Sequence, residues 1–359
     1  MRESNFELLR IVSMLFIICG HFIAQSGMQG YYHALDVSSF AVVFLASGAR
    51  IATLLFLLLG CWFMVDSGAR PSRILKLYGQ LWLYVVGITA ILWLSGVSFP
   101  AKWKVASFFP YASNSLWFVC QYLNLLLLHP FLKRILCWDK RILGKMLALL
   151  FFMIVCMSTV KKFQNSWVAD LLFFQFAYLF VGYCKQHANP AQWPRKSALC
   201  VAGAGVGIYV FLVFLKWLFN SHDTGWFHAG NLRVSQYIGD FKSFPNFTCA
   251  CGLFVGVLHL EIGKNRFVNL AARSALAVYI IHQHPAFQRF LWKGIVRCDE
   301  WVGERYGFAI LLLFVPALYA VCWLVDGVRI RMIEPLWVKS RLYDALERQL
   351  KRLYSEMAP

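Results

Sequence analysis

Long apolar stretches alternate with short polar segments along almost the whole chain. Most of them are long enough for a helix to cross the hydrocarbon core of a membrane, which takes about 20 apolar residues. The pattern predicts about ten spans, at residues 8–25, 46–65, 74–95, 115–132, 145–160, 169–184, 198–219, 246–261, 274–292 and 307–326. We therefore expect an all-α fold, a polytopic membrane helical bundle of about ten transmembrane helices.

Composition also indicates that lipid surrounds most of the chain. Hydrophobic residues make up 60% and charged residues 14% of the sequence, whereas soluble domains use about half and about a quarter. No repeat of fixed period and no Pro-rich or Ser-rich linker divides the sequence. We predict one membrane domain over residues 1–333 and a basic, amphipathic cytoplasmic tail over residues 334–359, typical of a helix that lies on anionic lipid.

The basic residues indicate topology. The formal net charge is +18. Lys and Arg lie mostly between the apolar stretches and do not form one continuous basic surface, so we expect no nucleic-acid partner. Placing both termini in the cytoplasm puts most of the basic residues inside, as the positive-inside rule requires. The first outer loop, residues 26–45, contains none.

The cysteines give no sign of a metal site. The 11 cysteines lie mostly within apolar stretches, without CxxC pairs or ligand-like spacing of Cys and His. We therefore predict neither a metal centre nor a disulfide framework. Buried thiols that pack as small apolar groups are the simpler interpretation.

The first span contains three ionisable residues, Glu7, Arg10 and His21. Such residues are costly enough inside a membrane to indicate function. Arg10 and His21 are close to three helical turns apart, so both face one side of the helix, roughly 16 Å apart along its axis, and Glu7 can pair with Arg10. We predict that the three serve catalysis, with His21 as the base. The structural alternatives are a snorkelling Arg10 and a His21 that joins two helices by a hydrogen bond.

A cluster of cations follows the second span. Arg70, Arg73 and Lys76 recur every third residue, and Pro71 suits the first turn of a helix. Guanidinium groups and the free N–H groups of a helix N-terminus both bind phosphate oxygens. The cluster is therefore a candidate site for a phosphorylated cofactor, and ordinary positive-inside charges are the alternative.

The segment near residues 220–245 is expected to be a long outer loop. It contains His222, Asp223, Trp226, His228, Arg233, Tyr237 and Asp240. This mixture suits a sugar-binding platform, because aromatic faces stack on sugar rings while polar groups bind hydroxyls. Aromatic residues also collect at membrane interfaces, so an ordinary interfacial segment is the alternative.

Taken in order, the motifs of the chain resemble those of the membrane-bound acyltransferase-3 family. They are Arg10 followed by ten residues and His21, Arg70-x-x-Arg73, Ser115-Leu116-Trp117-Phe118 leading to Tyr122 and Pro130, and Ala277-Val278-Tyr279-Ile280-Ile281-His282. The resemblance spans nearly the whole chain. Two strings depart from the family pattern: Leu59-Gly60-Cys61 keeps only the glycine of a Ser-Gly-Tyr-like string, and Gly20-His21 stands where a His-His pair is common.

The resemblance implies transfer of an acyl group from cytoplasmic acyl-CoA, commonly acetyl-CoA, to a cell-surface or lipid-linked carbohydrate at a bacterial inner membrane. His21 would be the general base, and Arg70 and Arg73 would hold the CoA phosphates, together with Lys76. The candidate substrate-binding residues are Trp117, Tyr122, His282 and Arg50. Direct transfer is expected, with a covalent relay through Cys19 or a serine as the alternative.

Two other classes of function stay open at this stage. A membrane transporter of a polar or glycan-related substrate would also carry polar residues within its helices. It predicts inverted repeats, which the sequence does not show. A non-catalytic scaffold would leave the alignment of Arg10 with His21 unexplained.

Overall fold

The computed structural model describes residues 3–68, 70–98, 100–114, 116–160, 167–222, 225–304 and 306–355. Ser115 and Asp223, both singled out from the sequence, lie outside the described residues, as do residues 356–359 of the tail. The described chain is helical, and no strand occurs within it. The predicted all-α fold is confirmed.

The α-helices of the described chain are numbered here in chain order. They are α1 (Ser4–Ser26), α2 (Val37–Val65), α3 (Pro71–Leu94), α4 (Ala101–Phe108), α5 (Trp117–Ile135), α6 (Lys140–Leu150), α7 (Met157–Val160), α8 (Trp167–His187), α9 (Arg195–Ser221), α10 (Gly225–Gly239), α11 (Phe244–Leu258), α12 (Arg266–Ala272), α13 (Ala275–His282), α14 (Pro285–Arg289), α15 (Gly307–Val328), α16 (Glu334–Val338) and α17 (Arg341–Ser355). Short π-helical segments, Phe151–Cys156 and Arg329–Ile333, join α6 to α7 and α15 to α16.

Seven helical runs in the described part of the chain are long and apolar enough to cross a membrane. They are Ser4–Ser26, Val37–Val65, Pro71–Leu94, Lys140–Thr159, Trp167–His187, Arg195–Ser221 and Gly307–Val338. A bent pair, His228–Gly239 and Phe244–Leu258, makes an eighth if it is a single span. The protein is therefore a polytopic helical membrane protein, as predicted.

Seven or eight candidate spans among the described residues compare with the ten predicted stretches, and one reason for the difference is that residues 274–292 do not form one helix. α13 ends at His282, and α14 begins at Pro285. Proline lacks the N–H group that a continuing helix needs, and Nδ1 of His284 accepts the N–H groups of Ala286 and Phe287 at 3.2 and 3.1 Å. α5 forms where expected, but it is not among the seven apolar runs.

The prediction of a long loop near residues 220–245 is also wrong, because α10 occupies most of this segment. α10 and α11 are inclined by 45°. The side-chain amide of Asn246 closes the bend by donating to the carbonyl oxygens of Ile238 and Asp240 at 3.1 and 2.8 Å. The span expected at residues 246–261 is therefore mostly α11, the second helix of a bent pair.

The chain divides into two compact units. The first comprises Met1–Val65, Asp139–Arg273 and Cys298–Ala317. In it α1 packs along α2, and α9 packs along α11. Small residues bring both pairs together: a Cβ atom at Gly20 would lie 2.3 Å from Cβ of Ala49, and one at Gly252 would lie 2.7 Å from the carbonyl oxygen of Val201.

The second unit comprises Asp66–Trp138, Ser274–Arg297 and Leu318–Pro359. α3 is its centre, in contact with α4, α5, α13, α14, α16 and α17. The hydroxyl of Tyr343 in α17 donates to the carbonyl oxygen of Ser72 at 3.4 Å, and that of Tyr354 to the carbonyl oxygen of Leu127, also at 3.4 Å. Two tyrosines thus attach α17 to this unit, and the separate tail domain from residue 334 stays a prediction.

Candidate active site

The ionisable residues of α1 are paired as their spacing predicts. Nη1 of Arg10 donates to Oε1 of Glu7 at 2.5 Å. The Glu7 side chain is 4% exposed, and that of Arg10 is 25% exposed. The Arg10 guanidinium carbon also lies 5.9 Å from the ring centroid of Phe63 in α2. Glu7 and the Phe63 ring therefore both hold the guanidinium in place, and a freely snorkelling arginine would need neither contact.

His21 lies farther along the same unbroken helix. Since α1 runs from Ser4 to Ser26 without interruption, His21 is roughly 16 Å from Arg10 along the helix axis. The His21 side chain is half-buried. Its neighbour Gly20 meets Ala49 of α2, and Arg50 follows Ala49. His21 and Arg50 therefore lie at the same level of two packed helices.

Arg50 lies farther from the start of its helix than the predicted span of residues 46–65 implies. α2 begins at Val37, nine residues before the predicted start of the span. Arg50 is thus 13 residues into the helix, about 20 Å from its first residue. A charged side chain in the middle of a membrane-spanning helix is costly, and Arg50 is exposed on the surface of the protein.

A buried charge cluster at the bend between α10 and α11 was not predicted from the sequence. Lys242 has no exposed surface. Its Nζ lies 2.8 Å from Oδ1 of Asp170 in α8 and 3.5 Å from Oδ1 of Asp240. The signal was present in the sequence as an acidic residue near the start of an apolar stretch, but only the fold shows which cation it contacts.

In the second unit, the predicted phosphate-binding cations lie at the first turns of α3. Arg70 precedes the helix, Pro71 is its first residue, and the side chains of Arg70, Arg73 and Lys76 are all exposed. Nη1 of Arg73 donates to Oγ of Ser67 at 3.1 Å. Lys133 of α5 reaches the carbonyl oxygen of the same serine at 3.1 Å, so packing adds a fourth cation to the three that the sequence indicated.

Lys76 belongs to a polar network that extends towards the middle of α3. Its Nζ lies 3.4 Å from Oε1 of Glu334, and Glu334 Oε2 accepts from Nη1 of Arg329 at 2.9 Å. Nε of Arg329 and the hydroxyl of Tyr84 both donate to Oδ1 of Asp326, at 2.6 and 2.7 Å. Beside this network is a cavity of about 420 Å³.

Three of the four predicted substrate-binding residues meet in one aromatic cluster of the second unit. Phe118 stacks on Tyr122 with ring centroids 6.4 Å apart and lies 5.7 Å from Trp117 and 6.0 Å from Tyr279. Tyr279 contacts the His282 ring at 6.1 Å. Trp117 and Tyr122 are half-buried, whereas His282 has no exposed surface and donates from Nδ1 to the carbonyl oxygen of Val278 at 2.6 Å.

Further buried polar groups line α5. Nδ2 of Asn124 donates to Oε1 of Gln121 at 3.1 Å, and the hydroxyl of Tyr111 donates to Asn124. Burial raises the pKa of Tyr111 above its ordinary value, so this phenol remains a hydrogen-bond donor at physiological pH. Gln121 and Asn124 were visible in the sequence as two polar residues one turn apart in an apolar stretch.

The predicted site residues thus fall into two sets. Glu7, Arg10, His21 and Arg50 belong to the first unit. Arg70, Arg73, Lys76, Trp117, Tyr122 and His282 belong to the second. Among the described residues, no group of three or more His, Cys, Asp or Glu side chains could hold a metal ion.

Comparison with known proteins gives one finding. The model of the acyltransferase-3 family, described as an acyltransferase domain, matches residues 3–327, which is nearly the whole chain. No curated protein and no solved structure gives a significant match.

Proposed function

Because the chain belongs to the acyltransferase-3 family and is a membrane acyltransferase, we propose that it transfers an acetyl group from cytoplasmic acetyl-CoA to a hydroxyl of a cell-surface or lipid-linked carbohydrate. The proposal assigns the protein to a bacterial inner membrane, with both termini in the cytoplasm. The family match is the observation that supports acyl transfer as the reaction. The half-buried imidazole of His21 within a membrane-spanning helix supports a base for the acceptor.

In the proposed step, the neutral imidazole of His21 takes the proton from the acceptor hydroxyl as its oxygen attacks the thioester carbonyl carbon. The carbon–sulfur bond then breaks, and the CoA thiolate leaves and takes up the proton that His21 accepted, which returns the imidazole to its neutral form. The ester and free CoA account for all atoms of the two substrates. Cys19 is 6% exposed, which favours this direct transfer over a relay through its thiol.

Arg10 and Glu7 have a positioning role in the proposal. Their ion pair lies near the opposite end of α1 from His21. The axial distance of roughly 16 Å is within the reach of the extended pantetheine arm of CoA. A phosphate end held at the inner side would therefore allow the thioester to approach His21.

Arg70 and Arg73 are the proposed phosphate ligands, since exposed guanidinium groups beside a helix N-terminus bind phosphate oxygens well. Lys76 and Lys133 add positive charge, although Lys76 is paired with Glu334. The neighbouring cavity of about 420 Å³ is lined by Tyr78 and Trp82, among other residues. Aromatic walls of this kind suit the adenine ring of CoA.

Binding of radiolabelled acetyl-CoA to the purified protein tests the cofactor site. We expect Arg70→Ala and Arg73→Ala each to weaken binding by about tenfold or more, because each removes a charge-assisted hydrogen-bond donor. Lys145→Ala is the matched control, since it removes an exposed cation from α6. Unchanged binding in both arginine variants would contradict the proposed site.

His21→Ala tests the base. We expect wild-type abundance, membrane insertion and acetyl-CoA affinity, with acetylation of the native glycan abolished. His187→Ala, which changes a histidine at the end of α8, should leave acetylation intact. Mass spectrometry of envelope glycans from a deletion strain complemented with each variant gives the readout and identifies the acceptor. Continued acetylation by His21→Ala would remove His21 from the mechanism.

A further inference from the structure

The second unit contains another cavity, which lies beside the C-terminal half of α3. Its volume is about 220 Å³, and α3, α4, the segment before α5 and the start of α14 form its walls. Thr89, Trp103, Ser107, Ser113 and His284 are among the residues that line it. All of these elements belong to the same compact unit, so the cavity does not depend on how the two units are arranged.

The imidazole of His284 has a fixed orientation in this wall. Nδ1 accepts the N–H groups of Ala286 and Phe287, so the proton of the neutral ring is on Nε2. Nε2 donates to the carbonyl oxygen of Val85 at 3.0 Å and to Oγ1 of Thr89 at 3.2 Å. Both ring nitrogens therefore have protein partners, and the imidazole connects the start of α14 to α3 as a structural part of the wall.

Three hydroxyl groups of the wall already donate their protons to the protein. Thr89, Ser107 and Ser113 each donate to a backbone carbonyl oxygen three or four residues earlier, at 2.7, 2.7 and 3.3 Å. A hydroxyl oxygen has two lone pairs, so each of these oxygens can still accept a hydrogen bond. The cavity therefore offers acceptors, and a complementary ligand must supply donors.

The rest of the wall is apolar and carries no fixed charge. None of the described residues that line the cavity is Lys, Arg, Asp or Glu. Trp103 is 40% exposed, so part of its indole is accessible to a ligand. An aromatic face beside a few hydrogen-bonding groups suits a sugar ring. An anionic group would supply no donor and would find no cation in the wall.

The cavity and the proposed phosphate ligands lie towards opposite ends of α3, which is one of the helices that can cross a membrane. Thr89 follows Arg73 by 16 residues, which is about 24 Å along the helix axis. The hydrocarbon core of a bilayer is about 30 Å thick. With Arg73 on the cytoplasmic side, the cavity is therefore close to the outer surface of the membrane.

We propose that this cavity binds one uncharged sugar residue of the acceptor glycan. Trp103 packs against the ring, while the oxygens of Thr89, Ser107 and Ser113 accept hydrogen bonds from its hydroxyl groups. The volume is smaller than the roughly 300–1,000 Å³ of pockets for drug-sized ligands, so it suits a single ring. This inference rests on the proposed function and narrows its acceptor to a glycan with a neutral residue at or beside the acetylated position.

Saturation-transfer NMR with the purified full-length protein tests the proposal, in a detergent without a sugar headgroup. The probes are the methyl glycosides of glucose, galactose, mannose and N-acetylglucosamine, and methyl glucuronide and cyclohexanol are the comparison compounds. We expect at least one neutral glycoside to bind about tenfold more tightly than either comparison compound. The reason is that glucuronide brings an unpaired charge, whereas cyclohexanol has a single hydroxyl.

Variants at exposed positions assign the binding to this cavity. Ser113→Trp fills the cavity from an exposed position and should weaken binding of the preferred glycoside about tenfold or more. Ala112→Trp is the matched control, because it adds the same side chain at the neighbouring exposed position, outside the cavity lining. Trp103→Leu should weaken binding about fivefold, whereas Trp138→Leu, at another exposed tryptophan of the unit, should have no effect.

Glycan acetylation in cells provides a second readout. Ser113→Trp should reduce it about tenfold, while the acetyl-CoA affinity of the purified variant stays at the wild-type value. Elution as a single symmetric peak in gel filtration establishes folding, and Trp103→Leu decides if Ser113→Trp does not fold.

Either of two results would overturn the proposal: wild-type protein that binds no neutral glycoside more tightly than the comparison compounds, or full glycoside binding by folded Ser113→Trp. Normal acetylation by Ser113→Trp would likewise remove this cavity from acceptor binding and leave the proposed function standing. Glycoside binding in the cavity of a protein that acetylates no glycan would refute the proposed function and leave the sugar site standing.

Discussion

At the scale of single residues, Lys242 is a buried charge in an apolar protein that two carboxylates stabilise. Asp170 and Asp240 approach the same ammonium group from α8 and from the bend after α10. Two carboxylates this close to each other in a buried site repel unless a cation lies between them. Lys242 therefore stabilises the bend between α10 and α11 and connects it to α8.

Lys242→Ala should lower the free energy of unfolding by about 3 kcal/mol, because it leaves two buried carboxylates without their cation. The effect should appear as a lower melting temperature of the purified protein in detergent. Lys145→Ala, at an exposed position on α6, provides the comparison and should melt like the wild type. Equal melting of both variants would show that the buried cluster does not stabilise the fold.

At the scale of helices, the crossing of α1 and α2 sets the geometry around the proposed base. Gly20 and Ala49 are in direct contact there, and His21 and Arg50 follow them in the chain. Small residues allow two helix backbones to approach closely in a membrane. A larger residue at the crossing would separate the helices and move the side chains of His21 and Arg50.

Gly20→Ala should therefore reduce glycan acetylation about tenfold or more and destabilise the protein by about 2 kcal/mol through overpacking. The exchange variant Gly20→Ala with Ala49→Gly keeps the total volume and should recover most of both losses. Gly87→Ala is a matched control, because a Cβ atom there meets nothing within 4 Å. Failure of the exchange to restore acetylation would argue against the contact as the cause.

At the scale of the whole molecule, topology decides which groups face the cytoplasm. The proposed phosphate ligands begin α3, and Cys137 lies just beyond α5 in the same unit. Cys137 is one of two exposed cysteines, and the other, Cys200, lies within the apolar α9. A water-soluble thiol reagent should therefore report on Cys137 alone among the described cysteines.

A membrane-impermeant maleimide should label Cys137 in inside-out vesicles and not in right-side-out vesicles, if this end of α5 faces the cytoplasm. Cys137→Ser should abolish the signal. Ala112→Cys in that background, at an exposed position before α5, should be labelled from the opposite side. The reverse pattern would invert the topology and place Arg70 and Arg73 away from cytoplasmic acetyl-CoA.

The sequence alone was sufficient for features that depend on summed hydropathy or on residues within one helical turn. Lipid as the main solvent follows from composition. The pairing of Glu7 with Arg10 and the start of α3 at Pro71 follow from local spacing and backbone chemistry. The distance from Arg10 to His21 needed only a continuous helix.

Only the tertiary structure decided which distant side chains share a site. Trp117 and Tyr122 join His282 through Phe118 and Tyr279, although about 160 residues separate them in the chain. The depth of Arg50 likewise depends on where α2 begins, and the break before Pro285 splits an apolar stretch that hydropathy treats as one span. Hydropathy averages over a window, whereas a buried polar group is stabilised by particular partners, and packing between helices alone brings those partners together.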